Sequence, residues 1–163
     1  MIDVPATGRC QCGHLGYAVG AQPFVAYTCH CRECQRLSSS AFATCMQVPA
    51  EAVEMTAGVA HTRTRPSDSG NEISMWLCAS CGFAVFLQNS ARPRVRTVLV
   101  GTLEHLEQVQ VDAHIWLKRK LPWVVIPAAH RQFDGAGDWS DDYAHDPDRL
   151  LPSKQSEITR DDA

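Results

Sequence analysis

The sequence lacks a long apolar run and a secretory signal, and each absence excludes a class of protein. It also lacks a long helical periodicity, which argues against a mainly helical fold. No stretch is long enough to span a bilayer as a helix. The first ten residues, MIDVPATGRC, do not have the basic region followed by an apolar region that is typical of a secretory signal. We therefore expect a cytoplasmic protein, in a compartment where thiols stay reduced.

A strong charge of either sign is also missing. Residues 1–133 carry 12 Lys and Arg against 9 Asp and Glu, residues 134–163 carry 3 against 9, and the whole chain has a net charge of −3. A mildly basic body with an acidic end gives little electrostatic reason to expect a nucleic acid or an anionic membrane as a partner.

Short segments of mixed apolar and polar residues predict a mainly β fold with few short helices. We expect strands near residues 14–19, 24–28, 41–48, 73–77, 84–87 and 94–102, because Gly, Pro or Ser bounds these segments. A helical turn is expected at Arg32–Ser38 and a second at residues 103–108.

The chain is expected to divide into a zinc-binding domain at residues 1–133 and an acidic tail at residues 134–163. One hydrophobic core suits a chain of 163 residues. The tail is rich in Asp, Ser and Pro, which predicts a mobile segment. We expect it to dock on the domain only through Trp139, Tyr143 or the pair Leu150 and Leu151.

Cysteine, in contrast, is abundant, with eight in the chain. Cys10 and Cys12 form a Cys-x-Cys pair, while Cys78 and Cys81 form a Cys-x-x-Cys pair followed by Gly82, which relieves backbone strain at the turn. Each spacing lets two thiolates reach one metal ion. Together the four predict a structural site, and zinc is favoured over iron–sulfur because sulfur-rich tetrahedral sites most often hold zinc.

A second cluster, Cys29, Cys31 and Cys34, places three sulfurs within six residues. A disulfide between any two would close a very small loop with poor geometry. If Cys45 joins them, the site is closed; if it does not, a zinc there keeps the open position that catalytic zinc has. Because Cys45 lies in an apolar run, where a lone cysteine usually packs in the core, we favour the open site.

His30 lies between two of these cysteines in an extended segment, so its side chain should point away from theirs. We expect it to form a local hydrogen bond rather than to bind metal. The sequence therefore predicts two Zn²⁺ ions per chain, one structural and one catalytic.

Four segments follow one another in an order that is typical of a known family. They are Gly8-Arg9-Cys10-Gln11-Cys12-Gly13, Cys29-His30-Cys31-Arg32-Glu33-Cys34-Gln35-Arg36, Cys78-Ala79-Ser80-Cys81-Gly82, and His114-Ile115-Trp116 with Leu121-Pro122-Trp123. Over residues 7–127 the chain resembles the glutathione-dependent formaldehyde-activating enzyme family, which also includes centromere protein V.

This resemblance implies a β-tent of twisted antiparallel sheets organised around a structural zinc. It assigns that zinc to Cys10, Cys12, Cys78 and Cys81, and the catalytic zinc to Cys29, Cys31 and Cys34. The implied activity is carbon–sulfur lyase chemistry, the formation or cleavage of S-(hydroxymethyl)glutathione. Its implied partners are a small thiol such as glutathione and a small aldehyde.

The chain departs from the family pattern at Ser39 and Phe83, and we expect both to shape the wall of the pocket. Ser39 should be less free than a glycine to adopt a positive φ. The candidate substrate contacts are Arg36, Arg119 and, as pocket lining, His114 with Trp116.

The alternative is a non-catalytic zinc scaffold that binds a protein or a nucleic acid. Its candidate surface consists of Arg92, Arg94 and Arg96, together with residues 118–120. Alternation of the three arginines with apolar residues first indicates the solvated face of a strand, and residues 118–120 first indicate a solvated loop.

Overall fold

A computed structural model describes residues 1–139, which form eleven strands and one α-helix. The strands are β1 Ala6–Arg9, β2 Gly16–Val19, β3 Val25–Cys29, β4 Ala43–Pro49, β5 Val53–Ala57, β6 Ala60–Pro66, β7 Glu72–Cys78, β8 Ala84–Asn89, β9 Val95–Leu99, β10 Ala113–Ile115 and β11 Arg131–Gln132. The helix, α1, is Arg32–Ser38. Short 3-10 helices lie at Ala50–Ala52, Val100–Thr102, Leu106–Gln108 and Leu117–Arg119.

These strands form two sheets. The smaller has the order β1-β2-β5 and the larger has the order β11-β10-β3-β4-β9-β8-β7-β6. Every pairing is antiparallel except those of β10, which runs parallel to both β3 and β11. The expected mainly β fold of antiparallel sheets is therefore confirmed, with the parallel pairings of β10 as a difference.

All six predicted strands are found, and α1 has the predicted bounds. Predicted strand 94–102 is shorter, because the chain turns into a 3-10 helix after Leu99, where Thr102 Oγ1 donates to the Leu99 carbonyl at 2.7 Å. Five strands were not predicted: β1, β5, β6, β10 and β11. Of these, β6 reads Ala-His-Thr-Arg-Thr-Arg-Pro and is polar on both faces. Such a strand gives no alternation of apolar and polar residues, because it forms the exposed edge of the sheet.

A hydrophobic core lies between the two sheets. Tyr17 and Val19 of the smaller sheet, with Leu15 just before β2, are buried together with Met46 and Phe86 of the larger sheet. Burying one side chain of this size stabilises the fold by about 1.5–3 kcal/mol. Burial also raises the pKa of Tyr17 to about 12, and its hydroxyl lies 2.6 Å from Thr102 Oγ1. This core fixes the larger sheet on one face.

On its other face, the larger sheet carries a second apolar cluster. Tyr27, Cys29 and Ile115 are buried there with Trp139, whose ring stacks on Tyr27 with the centroids 5.2 Å apart. Trp139, at the start of the predicted tail, therefore packs on the domain. The other predicted anchors, Tyr143, Leu150 and Leu151, lie outside the described residues.

Candidate functional site

Four sulfurs from distant segments converge at one end of the molecule. The Sγ atoms of Cys10, Cys12, Cys78 and Cys81 all lie within 4.8 Å of one another. Cys10 Sγ is 3.4 Å from Cys12 Sγ, which is 3.8 Å from Cys78 Sγ. A tetrahedral zinc with Zn–S bonds of about 2.3 Å needs sulfurs about 3.8 Å apart. This cluster therefore fits a four-thiolate metal site.

Two tight turns aim these sulfurs inward. Gly82 has φ +71°, a conformation that L side chains rarely adopt, and its N–H donates to the Cys78 carbonyl at 2.8 Å. Gly13, after Cys12, has φ +79°. The Leu15 N–H donates to Cys10 Sγ at 3.2 Å. Such a hydrogen bond favours the thiolate that a metal requires.

A second cluster forms where β3 turns into α1. Cys29 ends the strand, Cys31 is the N-cap of the helix, and Cys34 lies in its first turn. Their Sγ atoms lie within 4.8 Å of one another, and the Cys34 N–H donates to Cys31 Sγ at 3.4 Å. Hydrogen bonding from Cys29 and Cys34 lowers the pKa of Cys31 strongly. These three donors fit one metal ion, and their role as ligands stays a prediction.

Cys45 lies near this second cluster but is not a member of it. It pairs with Tyr27 across β3 and β4 and is 1% exposed, in the apolar cluster on this face. Within residues 1–139, the group of sulfurs close enough to share an ion contains Cys29, Cys31 and Cys34 alone. A four-coordinate metal ion held by these three sulfurs would keep one position for another ligand.

His30 points away from the sulfurs, as expected from its position between them. Its side chain is fully buried, with Nε2 3.0 Å from Thr28 Oγ1, and burial lowers its pKa to about 4. Thr28 Oγ1 also lies 2.5 Å from His114 Nδ1, and His114 Nε2 lies 2.9 Å from His130 Nδ1. The prediction of a local hydrogen bond is confirmed.

A cavity of about 380 Å³ opens beside the second cluster. Cys29, Cys31, Cys34 and Cys45 line it, as do apolar side chains that include Tyr27, Ile115 and Trp139. Its polar lining includes five arginines and two carboxylates: Arg32, Arg36, Arg65, Arg92, Arg119, Glu33 and Asp68. Small-molecule sites are typically concave and largely apolar, with a few polar groups that orient the ligand.

Several predicted pocket residues are placed differently by the structure. Arg36, Arg119 and Trp116 line the cavity as predicted, whereas His114 does not, because it faces the opposite side of the sheet towards Thr28. Neither Phe83 nor Ser39 lines the cavity. Ser39 does adopt a positive φ, +50°, at the end of α1.

The three arginines of the scaffold hypothesis do not form one solvated strand face. Arg92 and Arg94 precede β9, and Arg92 lines the cavity. Arg96 lies 3.8 Å over the Trp76 ring, and its Nε and Nη1 atoms are buried. β6 also brings Arg65 to the cavity, which was not predicted; the sequence signal for it is the alternation of Arg63 and Arg65 with threonine.

The fold and the site define a mainly β protein with two cysteine clusters that are each able to hold a metal ion. The family described as glutathione-dependent formaldehyde-activating enzyme matches residues 5–119. The chain belongs to this family.

A solved structure supports the fold. It is a crystal structure of a Rhodobacter sphaeroides protein, Northeast Structural Genomics target RhR83, with a TM-score of 0.50 and 22% sequence identity. The match covers 64% of this chain and 96% of that chain. No curated protein matches the sequence. No helix within residues 1–139 has the length and apolar character needed to cross a membrane.

Proposed function

We propose that this protein is a zinc-dependent enzyme of carbon–sulfur lyase type, which acts on the adduct of a small aldehyde with a thiol such as glutathione. The observation that supports this function best is the opening of the three-sulfur cluster onto the cavity. Catalytic zinc sites in proteins typically have three protein ligands and one position for substrate.

In this proposal Cys29, Cys31 and Cys34 hold the catalytic zinc, and the four-sulfur cluster holds the structural one. When bound, zinc would lower the pKa of a coordinating thiol, so that the thiol binds as thiolate. In the overall reaction, the thiol sulfur bonds to the aldehyde carbon, the C=O π pair moves to oxygen, and oxygen gains the proton that the thiol lost. Cleavage of the adduct is the reverse of this reaction.

Residues of the chain position the thiol. The apolar wall at Tyr27, Ile115 and Trp139 suits the methylene group next to a thiol sulfur, and the arginines suit carboxylates farther along the molecule. Because the cysteines proposed as zinc ligands must stay reduced, we infer a reducing compartment such as the cytoplasm.

Calorimetric titration of the zinc-loaded protein with glutathione tests the proposal. In buffers of different ionisation enthalpy, the wild type should bind glutathione and release about one proton per thiol, since the thiol binds as thiolate. Exchange NMR should show faster interconversion of glutathione and its hydroxymethyl adduct than the uncatalysed reaction gives.

Cys31→Ser is the matched control. It should still fold while losing thiol binding, because its cluster lies within one local segment. If the wild type binds no thiol, or if Cys31→Ser binds thiol equally well, the enzyme proposal is wrong. Salt-dependent binding of DNA or RNA would instead support the scaffold.

A further inference from the structure

Positive charge is concentrated in the cavity. The chain carries a net charge of −3, yet within residues 1–139 the side chains that line this one space include five arginines and two carboxylates. A cleft lined by one sign of charge focuses the electrostatic field and raises the local concentration of ions of the opposite sign. The cavity therefore favours an anionic ligand over a neutral one.

Glu33 is placed to act as an anion inside this cavity. Its Oε1 lies 2.5 Å from Arg36 Nη1, and its Oε2 lies 3.8 Å from Arg65 Nε. The Arg65 side chain is 25% exposed and that of Glu33 is 39% exposed. One carboxylate is thus shared by two guanidinium groups, one on α1 and one on β6, and its contact with Arg65 is long for an ion pair.

Arg119 lines the cavity from a third element, and a buried amide holds its backbone there. Gln35 Nε2 donates to the Arg119 carbonyl at 3.0 Å and to the His30 carbonyl at 2.9 Å. Trp116, three positions before Arg119, has φ +60°, an unfavourable conformation for a bulky residue, and its side chain lines the cavity. Strained backbone persists where the surrounding structure enforces it, and it is concentrated at ligand sites.

We propose that Arg65 and Arg119 bind a carboxylate of the thiol substrate, and that Glu33 occupies part of this subsite until the substrate carboxylate displaces it. The inference rests on the proposed function and deepens it: the substrates are carboxylate-bearing thiols, and neutral thiols of the same size bind weakly. Arginine guanidinium groups match a carboxylate in both geometry and charge.

The test compares two thiols of nearly equal size, 3-mercaptopropionate and its neutral amide, by calorimetric titration of the zinc-loaded protein. The wild type should bind the acid about tenfold more tightly, as one charge-assisted hydrogen bond gives. Arg65→Gln and Arg119→Gln should each remove most of this preference and leave the affinity for the amide unchanged. Arg63→Gln is the control, because Arg63 lies on the same strand but does not line the cavity.

Glu33→Gln gives the most distinctive outcome, since it should strengthen binding. Without the internal anion, the acid should bind about threefold to tenfold more tightly, as expected for one charge removed near an arginine. The affinity for the amide should stay the same. Glu54→Gln removes one charge from the exposed face of β5, away from the cavity, and should change neither affinity.

Glutarate, which has carboxylates but no thiol, separates this inference from the proposed function. Glutarate binding that weakens in Arg65→Gln supports the subsite even if no thiol chemistry is found. Equal affinities for the acid and the amide, or weaker binding of the acid to Glu33→Gln, would overturn the subsite and leave zinc–thiol chemistry intact.

Discussion

Cys12 Sγ and Cys78 Sγ lie 3.8 Å apart, although 66 positions separate them in the sequence. The contact joins the turn after β1 in the smaller sheet to the end of β7 in the larger one. A metal ion at this point would fasten the two sheets to each other at one end of their shared core.

Replacing Cys78 with serine should therefore unfold the protein. Structural zinc contributes folding free energy on the order of 10 kcal/mol, which is comparable to the whole stability of a typical domain, about 5–15 kcal/mol. Circular dichroism should show loss of the β signal, and elemental analysis should show fewer than the two zinc ions expected per wild-type chain. A folded Cys78→Ser variant with unchanged metal content would contradict this.

Cys45→Ala should leave the zinc content unchanged. Cys45 packs against Tyr27 in a fully buried position and lies outside the three-sulfur group. Its truncation should cost about 1 kcal/mol of unfolding free energy, because it leaves only a small cavity. Urea denaturation and elemental analysis check the two expectations. Loss of one zinc ion would show that Cys45 closes the second site.

Ser39→Gly should stabilise the protein by about 0.5–1 kcal/mol. Ser39 ends α1 with φ +50°, and its hydroxyl has no hydrogen-bond partner within residues 1–139. Glycine removes the steric cost of this conformation but adds freedom to the unfolded chain, so only part of the cost is recovered. The urea midpoint should rise with an unchanged slope.

The neighbouring Ser38→Gly is the matched control, and it should destabilise. Ser38 Oγ lies 2.8 Å from the Cys34 carbonyl and 2.9 Å from the Phe42 carbonyl, so it secures the end of α1. If both substitutions lower the midpoint, the conformation of Ser39 is not a source of strain.

His114 should make stability fall as the solution becomes acidic. Burial, and then the nearby His130, lower the pKa of His114 below its ordinary value. The unfolded chain consequently binds more protons than the folded one as the pH falls below about 6.5, the ordinary histidine pKa. The stability that His114 contributes is complete above that pH and is lost as the pH falls through its folded pKa.

Urea denaturation of the wild type and of His114→Gln at pH 7.5 and pH 5.5 measures this contribution. The variant should be about 1–3 kcal/mol less stable at pH 7.5, because Thr28 and His130 lose a partner, but it should lose less stability on acidification. His105→Gln, at an exposed position beside Glu107, should behave like the wild type. Equal pH dependence in all three proteins would exclude His114 as a cause.

The features that are best predicted from the sequence are those that depend on residues close together in the chain. Cys29, Cys31 and Cys34 lie within six residues of one another, and α1 begins among them at Arg32. Both the cluster and the bounds of the helix can therefore be predicted from this one segment. Pairing Cys10 and Cys12 with Cys78 and Cys81 spans the molecule; the sequence predicts it because each pair has a spacing typical of zinc ligands and because the family resemblance implies the same four residues.

The cavity could not be predicted, because its walls come from segments whose contact depends on sheet topology. Arg65 reaches it only because β6 is the edge strand next to β7, and Trp139 reaches it only because it stacks on Tyr27. The position of His114 differs from the expected one for the same reason: the sequence does not predict β10, so it does not show which side of the sheet His114 faces.

The late position of β10 in the chain affects how the protein emerges from a ribosome. Synthesis releases β3 and β4 long before Ala113–Ile115, which pairs with β3 along Tyr27–Cys29. A nascent chain therefore presents β3 with one unpaired edge and three accessible thiols next to it. Because these thiols lie within six residues of one another, a metal site built from them would not depend on the synthesis of β10.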